Sequence, residues 1–391
     1  MDLNSRKIVV VGAGIGGLAV ALALKAHGAD VMVLEQSEAI TEVGAGLQIS
    51  PNGVNVLRAL GLEPALRDQA VRGKAVQLRD YRAGGEVLTL DLDRYASDSS
   101  YYFVHRADLI SMLAEAVRHA SIPVRLLQKV ERVQAGPAPV LHMANGARIN
   151  ADLVVGADGL HSKARVALNG EDTPFFTGQV AWRAVVPNDL CFGAQAQVFM
   201  GPGRHMVCYP LRRGELVNIV AVQEREAWAD EGWNQQDDPA HLRAAFGDFG
   251  GPVPALLNRI ENVRLWGLFR HPVAPNWHSG CVAILGDAAH PTLPFLAQGA
   301  NMALEDAWVL ADSLAKSETP GEALTGYQRR RRDRAVRVIA AANNNAWKYH
   351  LSSASVRAVA HMTLRMGGRL APRRMVRQFD WLYGHDVTKP G

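Results

Sequence analysis

Lys7-Ile-Val-Val-Val11, Gly12-Ala-Gly-Ile-Gly-Gly17, Leu18-Ala-Val-Ala-Leu-Ala-Leu24 and Val31-Met-Val-Leu-Glu35 follow one another near the start of the chain. A β-branched run, a glycine cluster, an apolar helical stretch and a second β-branched run read as strand, turn, helix, strand. Gly12, Gly14 and Gly16 permit a tight turn, close approach of a pyrophosphate to the backbone, and close packing of helix on strand; Gly17 extends the cluster. The helix N-terminus then offers unpaired N–H groups to phosphate. Glu35 follows the glycines by about 20 residues, where a carboxylate can accept hydrogen bonds from an adenosine ribose. NAD would satisfy these residues as well as FAD.

Two later motifs separate the alternatives. Val154-Val-Gly-Ala-Asp-Gly159 again runs an apolar strand into a glycine-permitted turn, with Asp158 and Gly159 at its end. Val282-Ala-Ile-Leu-Gly286-Asp287 does so a third time, and Gln298-Gly299-Ala300-Asn301 then opens a helix. A carboxylate beside a helix N-terminus suits a polyol chain on an electron-poor ring: Asp287 holds hydroxyls, and the helix end stabilises negative charge on a reduced flavin. Three such motifs in this order imply one long FAD held along its length.

Composition sets the frame. The 391 residues, 48% hydrophobic and 20% charged, can bury a large core. A net charge of +4 is too small to argue for nucleic acid and suits anionic small molecules. Cys191, Cys208 and Cys281 are odd in number, widely spaced and set in apolar runs, so they read as buried free thiols of a reducing cytoplasm, with no disulfide framework and no metal site. The apolar run from Ile8 to Leu24 is broken by glycines and does not read as a signal peptide, and no stretch is long enough for a membrane span. The segment from Val356 to Met375 is amphipathic and basic, expected to pack on the protein's own surface, with a membrane or a partner as the alternative.

The expected fold class is α/β: a Rossmann-like FAD-binding domain with an inserted antiparallel β-sheet substrate domain and C-terminal helices. Residues 1–71, 101–176 and 271–322 are assigned to the first, 72–100 and 177–270 to the second, and 323–391 to the helical segment. Strands are expected at Val124 to Leu127, Ala151 to Val155 and Cys281 to Leu285, and helices at Asn52 to Ala59, Ala107 to His119 and Gly299 to Lys316. Runs at Val180 to Val186, Ala196 to Met200, His205 to Leu211 and Leu216 to Gln223 have β character, with turns at Gly201-Pro202-Gly203 and Arg213-Gly214. Arg329 to Arg332 with Arg334 read as a basic helix face, solvated or pairing with acidic residues.

Taken with Glu35, His105-Arg106-Ala-Asp-Leu109, Gly286-Asp-Ala-Ala-His-Pro291 and Ala297-Gln-Gly-Ala-Asn-Met-Ala-Leu-Glu-Asp306, these motifs resemble those of the single-component FAD-dependent aromatic hydroxylases. The resemblance runs from about residue 6 to Trp381-Leu-Tyr-Gly384. It implies that NADH or NADPH, visiting transiently, reduces FAD, and that dioxygen forms a flavin hydroperoxide which hydroxylates a small phenolic or hydroxylated aromatic, or N-heteroaromatic, carboxylic acid. By the same resemblance Gly16 and Glu35 bind the ADP half of FAD, Arg106 contacts the cofactor, Asp158 serves FAD and NAD(P)H binding, and Asp287 holds the ribityl chain. Pro291 to Asn301 shape the pocket at the flavin's reactive edge. A monomer or homodimer is expected. An epoxidase, a halogenase, a reductase on the same fold, or a flavin-binding protein without turnover stays open as an alternative; a halogenase Trp-x-Trp-x-x-Pro motif is absent.

The catalytic candidates are Tyr209, His205, Gln48 and Pro294. His205 and Tyr209 lie on one expected strand, four residues apart, hence on one face and about 13 Å apart at Cα. A His-x-x-x-Tyr pair here resembles the acid-base and substrate-binding pair of 3-hydroxybenzoate and 6-hydroxynicotinate hydroxylases. Gln48 stands where the latter carries a histidine, and Pro294-Phe295 departs from the Gln-Tyr of the former. Arg183 and Arg204 are candidates for a substrate carboxylate, His290 for bracing its loop, and Trp182, Phe199, Phe269 and Phe295 for an aromatic wall.

Overall fold

A computed structural model describes residues 2–40, 45–97, 100–225 and 235–389. Part of the expected substrate domain, 226–234, therefore lies outside the described residues, as do Gly44, Asp98 and Ser99. Lys7–Val11 sits inside a six-stranded sheet, between Asp30–Leu34 and Leu153–Gly156. Val282–Ile284 lies beyond Leu153–Gly156, and Val124–Arg125 and His278–Ser279 form the edges. All pairs are parallel except the His278–Ser279 edge. Ile8 to Val11 and Leu153 to Gly156 are buried, as helices on both faces of a parallel sheet require.

Register explains why motifs so far apart in sequence act together. Val11 is opposite Gly156, and Gly156 is opposite Ile284. Since the three strands run the same way, the turns at Gly12, Ala157 and Leu285 emerge side by side at their C-terminal ends, where open α/β sheets bind ligands. Helix Ile15–Ala26 packs on Gly299–Lys316 and Arg106–His119 beneath them. The strand expected to reach Leu127 stops at Arg125, because Leu127 is left-handed at φ 57°.

An eight-stranded sheet forms the second layer, in the order Gln235–Asp237, Val263–Arg270, Phe175–Pro187, Leu216–Glu224, Arg204–Leu211, Gln195–Gly201, Ala75–Asp80 and Glu86–Asp91. The segment 72–100 contributes its last two strands. They join through a parallel pair with Gln195–Gly201, so the sheet is antiparallel except at that seam. Alternation sorts its two faces. Trp182, Phe199, Met206 and Cys208 enter a core with Phe246 and Phe249, while Arg183, His205, Val207 and Tyr209 face the cavity described below. Trp182 and Phe199 are therefore core residues and not part of an aromatic wall. Of the expected buried thiols only Cys208 is buried; Cys281 is half-buried and Cys191 exposed.

The C-terminal part is helical, at Pro320–Tyr349, Ala354–Leu370, Pro372–Arg377 and Asp380–Tyr383. Arg329 and Arg330 of the arginine run are exposed, as a solvated face requires, but the residue that follows them is not. Arg331 is fully buried between two buried carboxylates, its Nη1 2.5 Å from Glu305 Oε2 and its Nε donating to Asp306 Oδ1 at 2.7 Å. Arg334 pairs with the other Glu305 oxygen at 2.8 Å. Helix Ala354–Leu370 packs through Arg357 and His361 and leaves Val356, Val359, Met362, Met366 and Leu370 exposed, so its expected packing holds on one face only. No helix among the described residues is long and apolar enough to cross a membrane.

Candidate active site

A cavity of about 1050 Å³ runs from the first glycine turn, past the other two, to the face of the large sheet carrying Arg183, His205 and Tyr209. Its first end fits the diphosphate and ribose of FAD. Gly12 has φ +101°, and a Cβ there would stand 2.4 Å from the Ala157 carbonyl oxygen. Around Gly14, by contrast, a Cβ would meet nothing, so this part of the turn opens on the cavity. Helix Ile15–Ala26 has no side-chain cap and no acidic residue in its first turn, leaving its amides for an anion. Glu35 accepts from Ala13 N–H at 2.8 Å and Ser37 N–H at 2.9 Å, which pins the carboxylate beside the turn with lone pairs to spare for ribose hydroxyls. The variant Gly12→Ala is expected to purify with FAD bound at least about tenfold more weakly, since strain of about 1–3 kcal/mol falls on the cradle itself. Flavin absorbance after dialysis measures this, and full retention would show that the turn is not the diphosphate cradle.

The middle of the cavity is lined by Arg106 and Asp287. Burial pushes the Arg106 pKa down, and the negative Asp287 works against that shift. Asp287 stands exposed to the cavity on the turn Gly286–Ala288, which Gly286 enters at φ +59°. Gly299 and Ala300 line the cavity where helix Gly299–Lys316 begins, again with no side-chain cap and no acidic residue in the first turn. Two open helix N-termini, a guanidinium and a carboxylate spaced along one channel fit the charges of FAD: anionic diphosphate, polyol and an electron-accepting ring.

Three of the expected cofactor residues have other work. Gly17 does not line the cavity; a Cβ there would be 2.0 Å from Gly12 O, so it serves the packing of helix on turn. Asp158 borders the cavity, but its carboxylate accepts from Ser162 Oγ and from the amides of Lys163 at 2.7 Å and Ala164 at 3.2 Å, fastening helix Lys163–Asn169. Its neighbour Gly159, at φ +73°, lines the cavity. Asn301 is wholly buried off the cavity, donating to Gln48 O at 3.0 Å and Ala297 O at 2.8 Å and accepting from Ser50 N–H at 3.0 Å. It holds the strand Gly46–Ile49 against the loop that precedes helix Gly299–Lys316. His290 does brace its loop, through Asp306, which also accepts from Gly286 N–H at 3.0 Å.

The far end is the candidate reaction chamber. Trp266, Phe269 and Phe295 supply its aromatic surface, and Pro294 opens the short turn Pro294–Leu296 beside it. Arg183 lies with its guanidinium carbon 4.4 Å from the centre of the Trp266 ring. Its Nε is buried without a hydrogen-bond partner among the described residues, and burial lowers its pKa only to about 10, so it is a cation at neutral pH. Arg204 is committed elsewhere, 2.8 Å from Asp248. Tyr209 packs so close to the strand Gly46–Ile49 that a Cβ on Gly46 would stand 2.6 Å from its ring. Burial pushes the Tyr209 phenol well up, against the opposing influence of Arg183 and Gln48, so it stays protonated. Gln48 Oε1 accepts from Tyr101 Oη at 2.7 Å. His205, Tyr209, Gln48, Pro294 and Arg183 all line this one cavity.

Sequence reasoning missed Trp266, Tyr101 and the partner of His205, which is His350 with Nε2 at 2.7 Å from His205 Nδ1. Trp266 had a signal in the β pattern of its strand; nothing local marked His350.

A family model described as FAD binding domain matches residues 5–342. Over 98% of its length the chain is 34% identical to a 3-amino-4-hydroxybenzoate 2-monooxygenase of Streptomyces platensis, covering 97% of that protein. It is 32% identical to 3-hydroxybenzoate 6-hydroxylase 1 of Aquipseudomonas alcaligenes, covering 98% of each. The structure of Klebsiella pneumoniae HpxO complexed with FAD and uric acid superposes with a TM-score of 0.85 at 26% identity, over 96% of this chain and 97% of that one. With these likenesses over nearly its full length, and three glycine turns brought into register beside one channel, the chain belongs to the FAD-dependent aromatic monooxygenases.

Proposed function

We propose that this enzyme uses NADH or NADPH and dioxygen to hydroxylate a small aromatic carboxylic acid that carries a ring hydroxyl. The observation that supports this most is Arg183: a buried cation with an unpartnered Nε, stacked on Trp266, in the same chamber as His205 and Tyr209. FAD, when bound, takes electrons from the nicotinamide and supplies one oxygen atom of dioxygen to the ring. The protein's own residues bind, orient and keep out water. Arg183 would receive the carboxylate in charge-assisted hydrogen bonds. The Tyr209 hydroxyl would donate to the substrate oxygen and stabilise negative charge there, which makes the ring a better nucleophile. Trp266, Phe269 and Phe295 would cover the ring faces and exclude water.

The test is dioxygen-dependent oxidation of NADH and of NADPH by the flavin-loaded enzyme, with hydroxybenzoates, amino-hydroxybenzoates, hydroxynicotinates and simple phenols, and mass detection of an added oxygen atom. A hydroxylated acid should both accelerate oxidation and gain oxygen. If no compound gains oxygen, the substrate class is wrong; if neutral phenols match the acids, the carboxylate is not part of recognition. In Tyr209→Phe, coupled product is expected to fall about tenfold relative to nicotinamide consumed, the worth of one hydrogen bond of about 1.4 kcal/mol, with peroxide rising. Unchanged coupling would remove Tyr209 from the reaction.

A further inference from the structure

His205, His350 and Glu224 stand in single file. His205 Nδ1 is 2.7 Å from His350 Nε2, and His350 Nδ1 is 2.8 Å from Glu224 Oε1. The first lines the reaction chamber, the second is buried, and the third has a side chain 50% exposed at the molecular surface. They come from three elements: the strand Arg204–Leu211, the C-terminal cap of helix Pro320–Tyr349, and the last residue of the strand Leu216–Glu224.

The order of hydrogens along the file follows from Glu224. An ionised carboxylate only accepts, so His350 Nδ1 carries hydrogen and its Nε2 is a bare acceptor. His205 must then carry its hydrogen on Nδ1. That leaves His205 Nε2 as a lone pair with no hydrogen-bond partner among the described residues.

We propose that His205, His350 and Glu224 form a proton path from the closed chamber to solvent, with His205 Nε2 accepting the substrate's hydroxyl proton. This rests on the hydroxylase reading of the chamber. In the step, the substrate O–H bond breaks as an N–H bond forms at His205 Nε2. The hydrogen on His205 Nδ1 passes to His350 Nε2, and that on His350 Nδ1 passes to Glu224 and on to water. No electrons change hands, and both rings end neutral in the opposite tautomer. A proton returned from Glu224 to the product oxygen restores the starting arrangement. His205 would be a catalytic residue; His350 and Glu224, which touch no substrate, are positioning residues.

Two further facts favour a path over a stored charge. Burial and the neighbouring His350 push the His205 pKa well below the usual range, so an imidazolium cannot wait in the chamber. Burial also lowers His350, with Glu224 opposing that shift, so the charge is relieved only at the surface end. The other ionisable group packed on the His205 ring is Tyr349, whose phenol burial pushes up and keeps neutral.

The experiment has two readouts on FAD-loaded enzyme. The first is the nitrogen NMR spectrum of histidine-labelled protein without substrate, assigned with His205→Gln and His350→Gln. Both rings should be neutral with hydrogen on Nδ1, and Glu224→Gln, whose amide can donate as well as accept, should populate the Nε2–H form of each. The second is proton release to an indicator dye when a nitro-substituted hydroxybenzoate with a coloured phenolate binds. Release should slow by about tenfold or more in Glu224→Gln and His350→Gln and recover in Glu224→Asp. Wild-type release rates in both glutamine variants, or hydrogen on His205 Nε2 in the wild type, would overturn the path. A phenol that never ionises in the wild-type chamber would instead count against the hydroxylase reading, while the tautomers still decide the path.

Discussion

The variant Arg331→Met should lose about 3–5 kcal/mol of stability, the cost of leaving buried carboxylates without their cation. Arg331 and both its partners are inaccessible to solvent, so no water replaces the guanidinium. Asn52 Nδ2 at 2.6 Å and Arg334 remain on Glu305, which leaves Asp306 the more exposed of the two to the loss. Asp306 also receives Gly286 N–H and His290, so the turn that presents Asp287 to the cavity is fastened through the same carboxylate. Denaturant unfolding of the flavin-loaded protein should therefore shift together with FAD retention. Adding Asp306→Asn to Arg331→Met should recover part of the loss, because the orphaned charge is then gone. A shift below about 1 kcal/mol would show that the cluster does not hold the C-terminal helix to the flavin site.

The same cluster sets an acid limit. Burial pushes the Asp306 carboxyl up, but His290 and Arg331 override it and hold the pKa at about 2. A folded-state value below the unfolded value of about 3.9 means stability that is fully present above that value. It is lost as pH falls from about 4 through about 2. In Arg331→Met the loss should begin at higher pH, visible as an upward displacement of the acid limb.

Arg183→Met is expected to lower kcat/KM for hydroxylated aromatic acids about 100-fold, within the 2–5 kcal/mol that truncating one partner of a buried charge pair costs. Because no carboxylate among the described residues is paired with Arg183, the free enzyme should not be destabilised, and relief of a buried cation should make it slightly more stable. Met keeps most of the volume against Trp266, so packing is a small part of the change. Arg183→Lys should rescue only weakly, since an ammonium cannot present the planar fork that a carboxylate matches. Discrimination between acids and neutral phenols is the deciding quantity. Equal losses for both would mean that Arg183 serves the flavin and not the substrate.

Much of the cofactor site was legible in the chain. Glycines after apolar runs at Val11, Val155 and Leu285 announced turns at strand ends, and parallel pairing then had little choice but to line them up. The helix Gly299–Lys316 has the bounds expected of it, since its glycine start and apolar period are local properties. Alternation along Arg204–Leu211 placed His205 and Tyr209 on one face for the same reason.

Local pattern failed where a side chain's role depends on what comes to meet it. Asp158 and Asn301 sit in the motifs as expected, yet their polar atoms are satisfied by the helix Lys163–Asn169 and by the strand Gly46–Ile49. The consecutive arginines Arg329 to Arg332 look solvated until the neighbouring helix sets Glu305 and Asp306 against one of them. His205 finds its partner 145 residues away, at a helix end with no motif. Sequence alone therefore determined the backbone frame and the three turns that border the cavity, because turns, strand alternation and helix starts depend on neighbouring residues. Tertiary structure alone decided which charges are buried, which are paired and which, like Arg183, are left open, because desolvation and hydrogen-bond satisfaction are set by chain segments that meet only on folding.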